Sequence, residues 1–170
     1  MSKRTYVPAV LAVLLIAILT LSANTKETRL STGINPGDLA PGIESLESKY
    51  KLNFHNHSGR YTLLSFWAAY DAESRARNVS LSNVVNKLDP AKIAMYSVSL
   101  DKNRAIFEET LKIDNLDETR HLWEGFDSRS ALFKAYKLNK GLRTFLIDDT
   151  GKIVAVNVGP KELAEFMENS

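Results

Sequence analysis

The hydrophobic pattern is strongest in one stretch near the middle of the chain, where an apolar run leads directly into a helical repeat. Residues 61–67 are aromatic or aliphatic except for Thr62 and Ser65, which is typical of a central strand buried on both faces. Beyond Asp71, apolar residues recur at helical spacing and predict a helix that starts there. They are Ala72, Ala76, Val79, Val84, Val85 and Leu88. We expect the functional site at this junction, because open α/β sheets bind ligands where strands end and helices begin.

The rest of the chain alternates between predicted strands and helices. Apolar runs and alternations predict strands at residues 43–47, 51–54, 93–101, 121–123, 144–148 and 152–158. Helical spacing predicts helices at residues 104–113, at residues 130–136 and from Pro160 onwards. The apolar positions of these helices are Ile106, Phe107, Leu111, Leu132, Phe133, Tyr136, Leu163, Phe166 and Met167. This order predicts an α/β fold with a central mixed sheet flanked by helices.

The amino terminus predicts an appendage to that domain. Lys3 and Arg4 precede an uncharged apolar run, so residues 1–23 have the form of a signal peptide or a membrane anchor. The run is close to the minimum length for spanning a bilayer, and both a cleaved signal peptide and a retained single span stay open. In either case the positive charges favour an extracytoplasmic location for the remainder. Residues 24–36 are polar and predict a linker, and residues 37–170 form the predicted domain.

Charge and cysteine content exclude several classes of function. Two of the 22 basic residues lie in the acid-free first 23 residues, so the remainder has 20 basic and 20 acidic residues. Without a basic excess or stripe, we expect no nucleic-acid partner. The chain contains no cysteine. It therefore has no disulfide bond, no thiol for redox chemistry and no lipobox cysteine, and packing alone must stabilise the domain.

The strand-to-helix junction resembles a known family motif. The TlpA/ResA type of extracytoplasmic thioredoxin-like protein carries Phe-Trp-Ala-x-Trp/Tyr-Cys-x-x-Cys-Arg at this place. The corresponding residues here are Phe66-Trp67-Ala68-Ala69-Tyr70-Asp71-Ala72-Glu73-Ser74-Arg75. Asp71 and Ser74 thus stand where the family has its nucleophilic and resolving cysteines. The resemblance implies a thioredoxin-like fold and a place among thiol-disulfide oxidoreductases, but the substitutions imply a member without their reaction.

Further segments carry the same resemblance. Residues 37–41 are similar to the family's Gly-Asp-x-Ala-Pro opening, and residues 98–101 to its Val-Ser-Leu-Asp strand ending. Residues 136–148 resemble the loop and strand that hold the family's cis-proline opposite the cysteines, and Leu142 occupies the proline position. A non-proline cis bond costs several kcal/mol, so we expect a trans peptide there. Val79 replaces the proline that kinks the family's first helix.

Several residues near the junction are candidates for binding. Trp67 and Tyr70 correspond to an aromatic surface in the family, and for both of them core packing and partner contact stay open. Leu142, Arg143 and Thr144 begin a strand whose family equivalents hydrogen-bond an extended peptide, so strand addition is expected there. Asp71 is either a helix N-cap or a ligand-binding carboxylate.

Two functions follow from these residues. The first is a redox-inactive binding or accessory module for an envelope protein or an extended peptide, which is not an enzyme and needs neither a cofactor nor a metal. The second is a repurposed site in which Asp71 and the three histidines, His55, His57 and His121, support metal-assisted or hydrolytic chemistry. Ser74 as a nucleophile would need a positioned base, which the local sequence does not supply.

Overall fold

The computed structural model describes residues 31–44, 51–54 and 59–170. The predicted signal or anchor segment lies outside these residues. The strands are β1 (Ile43–Glu44), β2 (Lys51–Leu52), β3 (Tyr61–Trp67), β4 (Ile93–Ser99), β5 (His121–Trp123), β6 (Thr144–Ile147) and β7 (Ile153–Val156). The helices are α1 (Ala72–Val85), α2 (Arg104–Ile113), α3 (Ala131–Ala135) and α4 (Pro160–Glu168), with 3-10 turns at Glu118–Arg120 and Leu138–Lys140.

A five-stranded mixed sheet forms the centre of the domain, with the order β5-β4-β3-β6-β7. Strand β3 lies in the middle, parallel to β4 and antiparallel to β6. The apolar run predicted this position, because a strand covered on both faces has few places for polar side chains. Strands β1 and β2 form a separate antiparallel hairpin. The predicted α/β fold with a mixed sheet is confirmed.

Successive residues of β3 supply the cores on opposite faces of the sheet, as expected for the two-residue period of a strand. Leu63 packs with residues of α1 and α4, including Leu81 and Leu163. Leu64 packs on the other side with Phe133 of α3 and with residues of the hairpin. The sheet is therefore covered by helices on one face and by α3 and β1–β2 on the other.

The buried face of helix α1 matches its apolar repeat only in part. Ala72 and Ala76 are exposed, and the buried residues are Ser74, Asn78, Leu81, Ser82 and Val85. A polar face can be buried here because its groups are hydrogen-bonded. The Asn78 side chain, for example, accepts from the Ser97 hydroxyl at 2.7 Å. The predicted helix is confirmed, and within its apolar repeat Val85 is buried and Val84 is partly buried against the same core.

Two other regions differ in detail from the sequence pattern. In α2, Phe107 and Leu111 are buried while Ile106 is half-exposed. Within the predicted linker, residues 31–34 contact the domain: Thr32 pairs with Leu39, and Ile34 is buried in the core. No helix in the described part of the chain is long and apolar enough to cross a membrane.

Candidate functional site

Asp71 and Ser74 together form the cap of α1. The Asp71 backbone is extended, and its carboxylate accepts the Ser74 N–H at 2.9 Å. The Ser74 hydroxyl donates to the Asp71 carbonyl at 3.1 Å and accepts the Ala68 N–H at 3.3 Å. Ser74 is only 1% exposed. Because its oxygen is buried and bonded on both sides, Ser74 is a structural residue and not an accessible nucleophile.

The Leu142 loop faces the same end of the sheet. Asp71, Arg77, Leu142 and Arg143 line one polar pocket of about 480 Å³, together with Glu73, Lys140, Gly141 and Asn157. Leu142 therefore lies opposite Asp71, as the resemblance to the family implied. Every peptide bond in the described ranges is trans, including the bond before Leu142, as expected.

Arg77 connects α1 to this loop. Its guanidinium donates to the Leu142 carbonyl at 2.5 Å and to Glu73 at 3.2 Å. The Leu142 carbonyl is therefore already hydrogen-bonded within the chain. A peptide that adds to this edge would have to displace a charge-assisted hydrogen bond.

The strand that follows offers less for peptide binding than the sequence indicated. The Arg143 carbonyl accepts the Phe66 N–H at 2.9 Å. Thr144 is fully buried and lies between β3 and β7, where its carbonyl accepts the Asn157 N–H at 2.7 Å. Strand addition needs a free edge. Strand β6 has a neighbour on both sides, so Thr144 offers no free backbone edge, and a contact of Thr144 with a bound peptide stays a prediction.

Trp67 and Tyr70 have opposite environments although they are three residues apart. Trp67 is fully buried, and its ring packs near those of Phe107 and His121. Of the two interpretations left open for Trp67, core packing fits this burial and partner contact does not. Tyr70 is 67% exposed, so its ring is available to a partner.

Tyr70 lines a second depression, which we name the apolar groove. Its lining consists of Ala69, Tyr70, Asp101, Lys102, Ile106 and Phe126, and its volume is about 670 Å³. Partial burial raises the pKa of the Tyr70 phenol, and the charges of Asp101 and Asp71 raise it further. The phenol therefore stays protonated at neutral pH and can donate a hydrogen bond.

Asp101 fixes the loop that carries Tyr70. Its carboxylate is 1% exposed and accepts the Ala69 N–H at 2.9 and 3.0 Å and the Ser99 hydroxyl at 2.8 Å. Its carbonyl accepts the Trp123 indole N–H at 2.7 Å. In the sequence, Asp101 stands out only as part of a strand ending. The signal that could have identified it is an acidic residue two positions after the end of β4, the buried strand next to β3.

Arg75 joins the start of α1 to the end of α2. Its guanidinium donates to both carboxylate oxygens of Asp114, at 2.7 and 2.6 Å. Such a bidentate pair restricts orientation as well as distance. The loop before α1 and helix α2, which carries Ile106, form two walls of the apolar groove. Arg75 therefore helps to hold these walls in place.

His121 lies away from Asp71. Its Nδ1 is 2.7 Å from the Asp117 carbonyl, which can only accept, so Nδ1 carries the proton. Its Nε2 is 3.4 Å from the Asn78 amide nitrogen. Asn78 is seven residues beyond Asp71 on α1, or about 10 Å along the helix axis. Burial lowers the pKa of His121, with partial opposition from the Asp117 carbonyl.

The positions of Asp71 and His121 do not support the alternative of metal-assisted chemistry. His55 and His57 lie outside the described residues. Across the described ranges, no group of three or more histidine, aspartate or glutamate residues could hold a metal ion. Asp71 and His121 are not brought together, and Asp71 already serves as the helix cap.

The mixed sheet, the helix starting at the end of β3 and the facing Leu142 loop define a thioredoxin-like domain whose two reactive positions hold no thiol. No protein-family model and no curated protein matches the chain. Among solved structures, a thioredoxin-like protein from Parabacteroides distasonis is 56% identical, with a TM-score of 0.75. The match covers 82% of this chain and 99% of that one.

More distant structures carry oxidoreductase names. A thiol-disulfide oxidoreductase from Bacteroides fragilis is 26% identical over 78% of this chain and 98% of its own, with a TM-score of 0.59. A thiol:disulfide interchange protein from Bacteroides sp. is 22% identical over 82% and 90%, with a TM-score of 0.63, and shows the fold alone. The chain belongs to the thioredoxin-like family, as a member that lacks the Cys-x-x-Cys motif.

Proposed function

We propose that this protein is a redox-inactive thioredoxin-like module that binds an envelope protein outside the cytoplasm. The observation that carries the proposal is the state of the two reactive positions. Asp71 and Ser74 replace the cysteines, and their side chains are hydrogen-bonded to each other's backbone in the helix cap.

Thiol-disulfide exchange requires a thiolate that attacks a disulfide sulfur and a second thiol that resolves the mixed disulfide. A carboxylate and a hydroxyl cannot form either bond. The chain holds no cysteine, so no other residue can replace them. Loss of the reaction follows from the chemistry of the side chains, whatever the fold.

A binding role is supported by the surface around Asp71. Tyr70, Ile106 and Phe126 are large apolar residues with exposures of 67%, 50% and 41%. Contiguous exposed apolar residues beside polar ones are typical of interaction sites. The Asp101 carboxylate holds the Ala69 N–H, so the loop that presents Tyr70 is already ordered before binding. Such preorganisation reduces the entropic cost of association.

The extracytoplasmic location is supported by the sequence of residues 1–23. A basic start followed by an apolar run delivers the following domain across a membrane, as a secreted protein if it is cleaved and as an anchored one if it is not. The thiol:disulfide names of the structural neighbours are consistent with this compartment. An oxidising environment is one in which disulfide enzymes act.

The absence of redox activity can be tested by insulin reduction with the full chain, purified in a mild detergent. We expect the rate to equal that of dithiothreitol alone. A double variant, Asp71→Cys with Ser74→Cys, is the matched comparison. It is expected to form a disulfide in air, since each of the two side chains already reaches the backbone of the other residue within one turn. Turnover by the unmodified protein would contradict the proposal.

Binding can be tested in cells with a photoactivatable phenylalanine analogue at position 70. The matched control carries it at position 113, where Ile113 is 73% exposed but does not line the apolar groove. We expect adducts with a defined envelope protein from position 70 and not from position 113. Equal adducts from both positions, or none from position 70, would contradict a partner at this surface.

A further inference from the structure

Two depressions of different character lie side by side at the candidate site. Tyr70 lines the apolar groove, and the next residue, Asp71, lines the polar pocket with Leu142. Neighbouring Cα atoms are about 3.8 Å apart, so one extended segment of a few residues can contact both depressions. The chemistry of the two depressions therefore specifies one ligand segment.

The apolar groove requires an apolar side chain. The large hydrophobic residues exposed in the described part of the chain are Tyr70, Ile106, Phe126 and Ile113, and only Ile113 lies outside the groove. This concentration leaves a patch whose burial by a partner is favourable, at roughly 25 cal/mol per Å². A volume of about 670 Å³ is sufficient for a leucine, methionine or phenylalanine side chain.

The acidic residues around the two depressions are already engaged. Asp71 accepts the Ser74 N–H, and Asp101 accepts the Ala69 N–H. Glu73 pairs with Arg77. Each of these carboxylates already has a hydrogen-bond or ion-pair partner within the chain.

Unlike the acidic residues, the basic residues around the two depressions lack charged partners within the described part of the chain. Lys102, Lys140 and Arg143 line the depressions, and within the described ranges none of them forms an ion pair. The Lys102 ammonium lies 5.6 Å from the centre of the Phe126 ring, at the edge of the apolar groove. The surface thus offers unpaired positive charge on both sides of the loop that holds Tyr70.

We infer that the partner contributes an extended segment in which an apolar anchor residue is flanked by aspartate or glutamate. This inference rests on the proposed binding function and adds the chemistry of the partner. The apolar anchor fills the apolar groove. The flanking carboxylates pair with Lys102 on one side and with Lys140 and Arg143 on the other. A basic segment is rejected, because it would place like charges together.

The experiment is a selection of displayed random dodecapeptides against the full chain in detergent. We expect enriched sequences to contain an apolar residue with neighbouring acidic residues. Synthetic copies of the enriched peptides are then measured by fluorescence anisotropy. Their binding should weaken several-fold in about 0.5 M salt, where the Debye length falls to roughly 4 Å.

Matched variants test the apolar anchor and the flanking acidic residues of the ligand separately. Ile106→Ser should weaken peptide binding about tenfold, as expected for an anchor contact. Ile113→Ser, which changes an exposed isoleucine on the same helix, should leave it unchanged. Lys140→Glu with Arg143→Glu should weaken it at least as much, whereas Lys87→Glu, at the opposite end of α1, should not.

Peptides without acidic residues, or binding that is unaffected by charge reversal at residues 140 and 143, would overturn the inference. No enrichment at all would also overturn it. The proposed binding function is decided separately by the photo-crosslinking at position 70. Adducts there, combined with acid-poor peptides, would keep the function and reject the partner chemistry.

Discussion

The cap of α1 and the apolar groove lie next to each other, but their groups are used in opposite ways. In the cap, the Asp71 carboxylate and the Ser74 hydroxyl are hydrogen-bonded within the chain. In the apolar groove, Tyr70 and Ile106 are half or more exposed. The positions where the family carries its reactive thiols have become structural, while the surface beside them remains available for contact.

This difference shows that the two properties of a thioredoxin-like site can be separated. Thiol-disulfide exchange depends on the sulfur atoms of two cysteines, so substitution of both cysteines abolishes it. The surface depends on a loop fixed by Asp101 and on two helices joined through Arg75 and Asp114. That framework contains no cysteine, so it can persist when the reaction is lost.

The largest expected difference in the free energy of unfolding is between alanine variants of Trp67 and of Tyr70. Trp67→Ala should lower the free energy of unfolding by about 3–5 kcal/mol, because it leaves a cavity beside Phe107 and His121. Tyr70→Ala should change it by less than about 0.5 kcal/mol, since the ring is mostly exposed. Urea unfolding followed by far-UV circular dichroism measures both. A large loss for Tyr70→Ala would show that its ring belongs to the core.

Next in size is the loss of the Asp101 carboxylate. Asp101→Ala should cost about 2–4 kcal/mol, because the Ala69 N–H and the Ser99 hydroxyl lose their buried acceptor. Asp101→Asn is the milder comparison, since its amide oxygen can still accept one of these bonds. Urea midpoints give the values. Wild-type stability of Asp101→Ala would refute the role of this carboxylate in fixing the loop.

A smaller effect is expected at the cap itself. Asp71→Ala should lower stability by about 1 kcal/mol, and Asp71→Asn by a few tenths, because asparagine caps helices nearly as well. Asp149→Ala, at an exposed aspartate in a turn, serves as the control. Thermal unfolding compares the three variants. If Asp71→Asn were as unstable as Asp71→Ala, the interpretation of Asp71 as a simple cap would be wrong.

The smallest effect concerns pH. Burial holds the pKa of His121 below its ordinary value of 6.5, so the unfolded chain binds the proton more readily than the folded one. Stability is therefore full above about pH 6.5 and declines as the pH falls from there towards the folded-state pKa. The physical cause is desolvation, because a buried imidazolium loses the water that stabilises its charge.

Urea unfolding of the wild type and of His121→Gln between pH 7.5 and pH 5.5 isolates this contribution. The wild type should lose more stability across the interval than the variant does. Identical pH profiles would mean that His121 titrates alike in the folded and unfolded chains.

Much of the fold could be predicted from the sequence because its signals are local. The apolar run of β3, the helix start after Asp71 and the two strands predicted at residues 144–148 and 152–158 each involve neighbouring residues, and the structure places all of them as expected. The polar part of the buried face of α1 could not be predicted in this way. Asn78 is buried because Ser97 and His121, which are distant in sequence, satisfy its amide.

The candidate site, like the fold, has some features that the sequence predicted and some that it did not. The position of Leu142 opposite Asp71 followed from the family resemblance. The burial of Thr144 did not, and neither did the bond from Arg77 to the Leu142 carbonyl. Each of these depends on which strands and helices become neighbours, and hydrophobic periodicity does not specify neighbours.

The sequence by itself determined that neither reactive position holds a thiol, since the chain contains no cysteine. It also determined the order of strands and helices, because apolar periodicity and helix caps act over a few residues. Only the tertiary structure decided that Ile106 and Phe126, twenty residues apart, meet Tyr70 in one groove. That arrangement arises from packing between distant segments, and the surface it creates is the part of the molecule on which the proposed function depends.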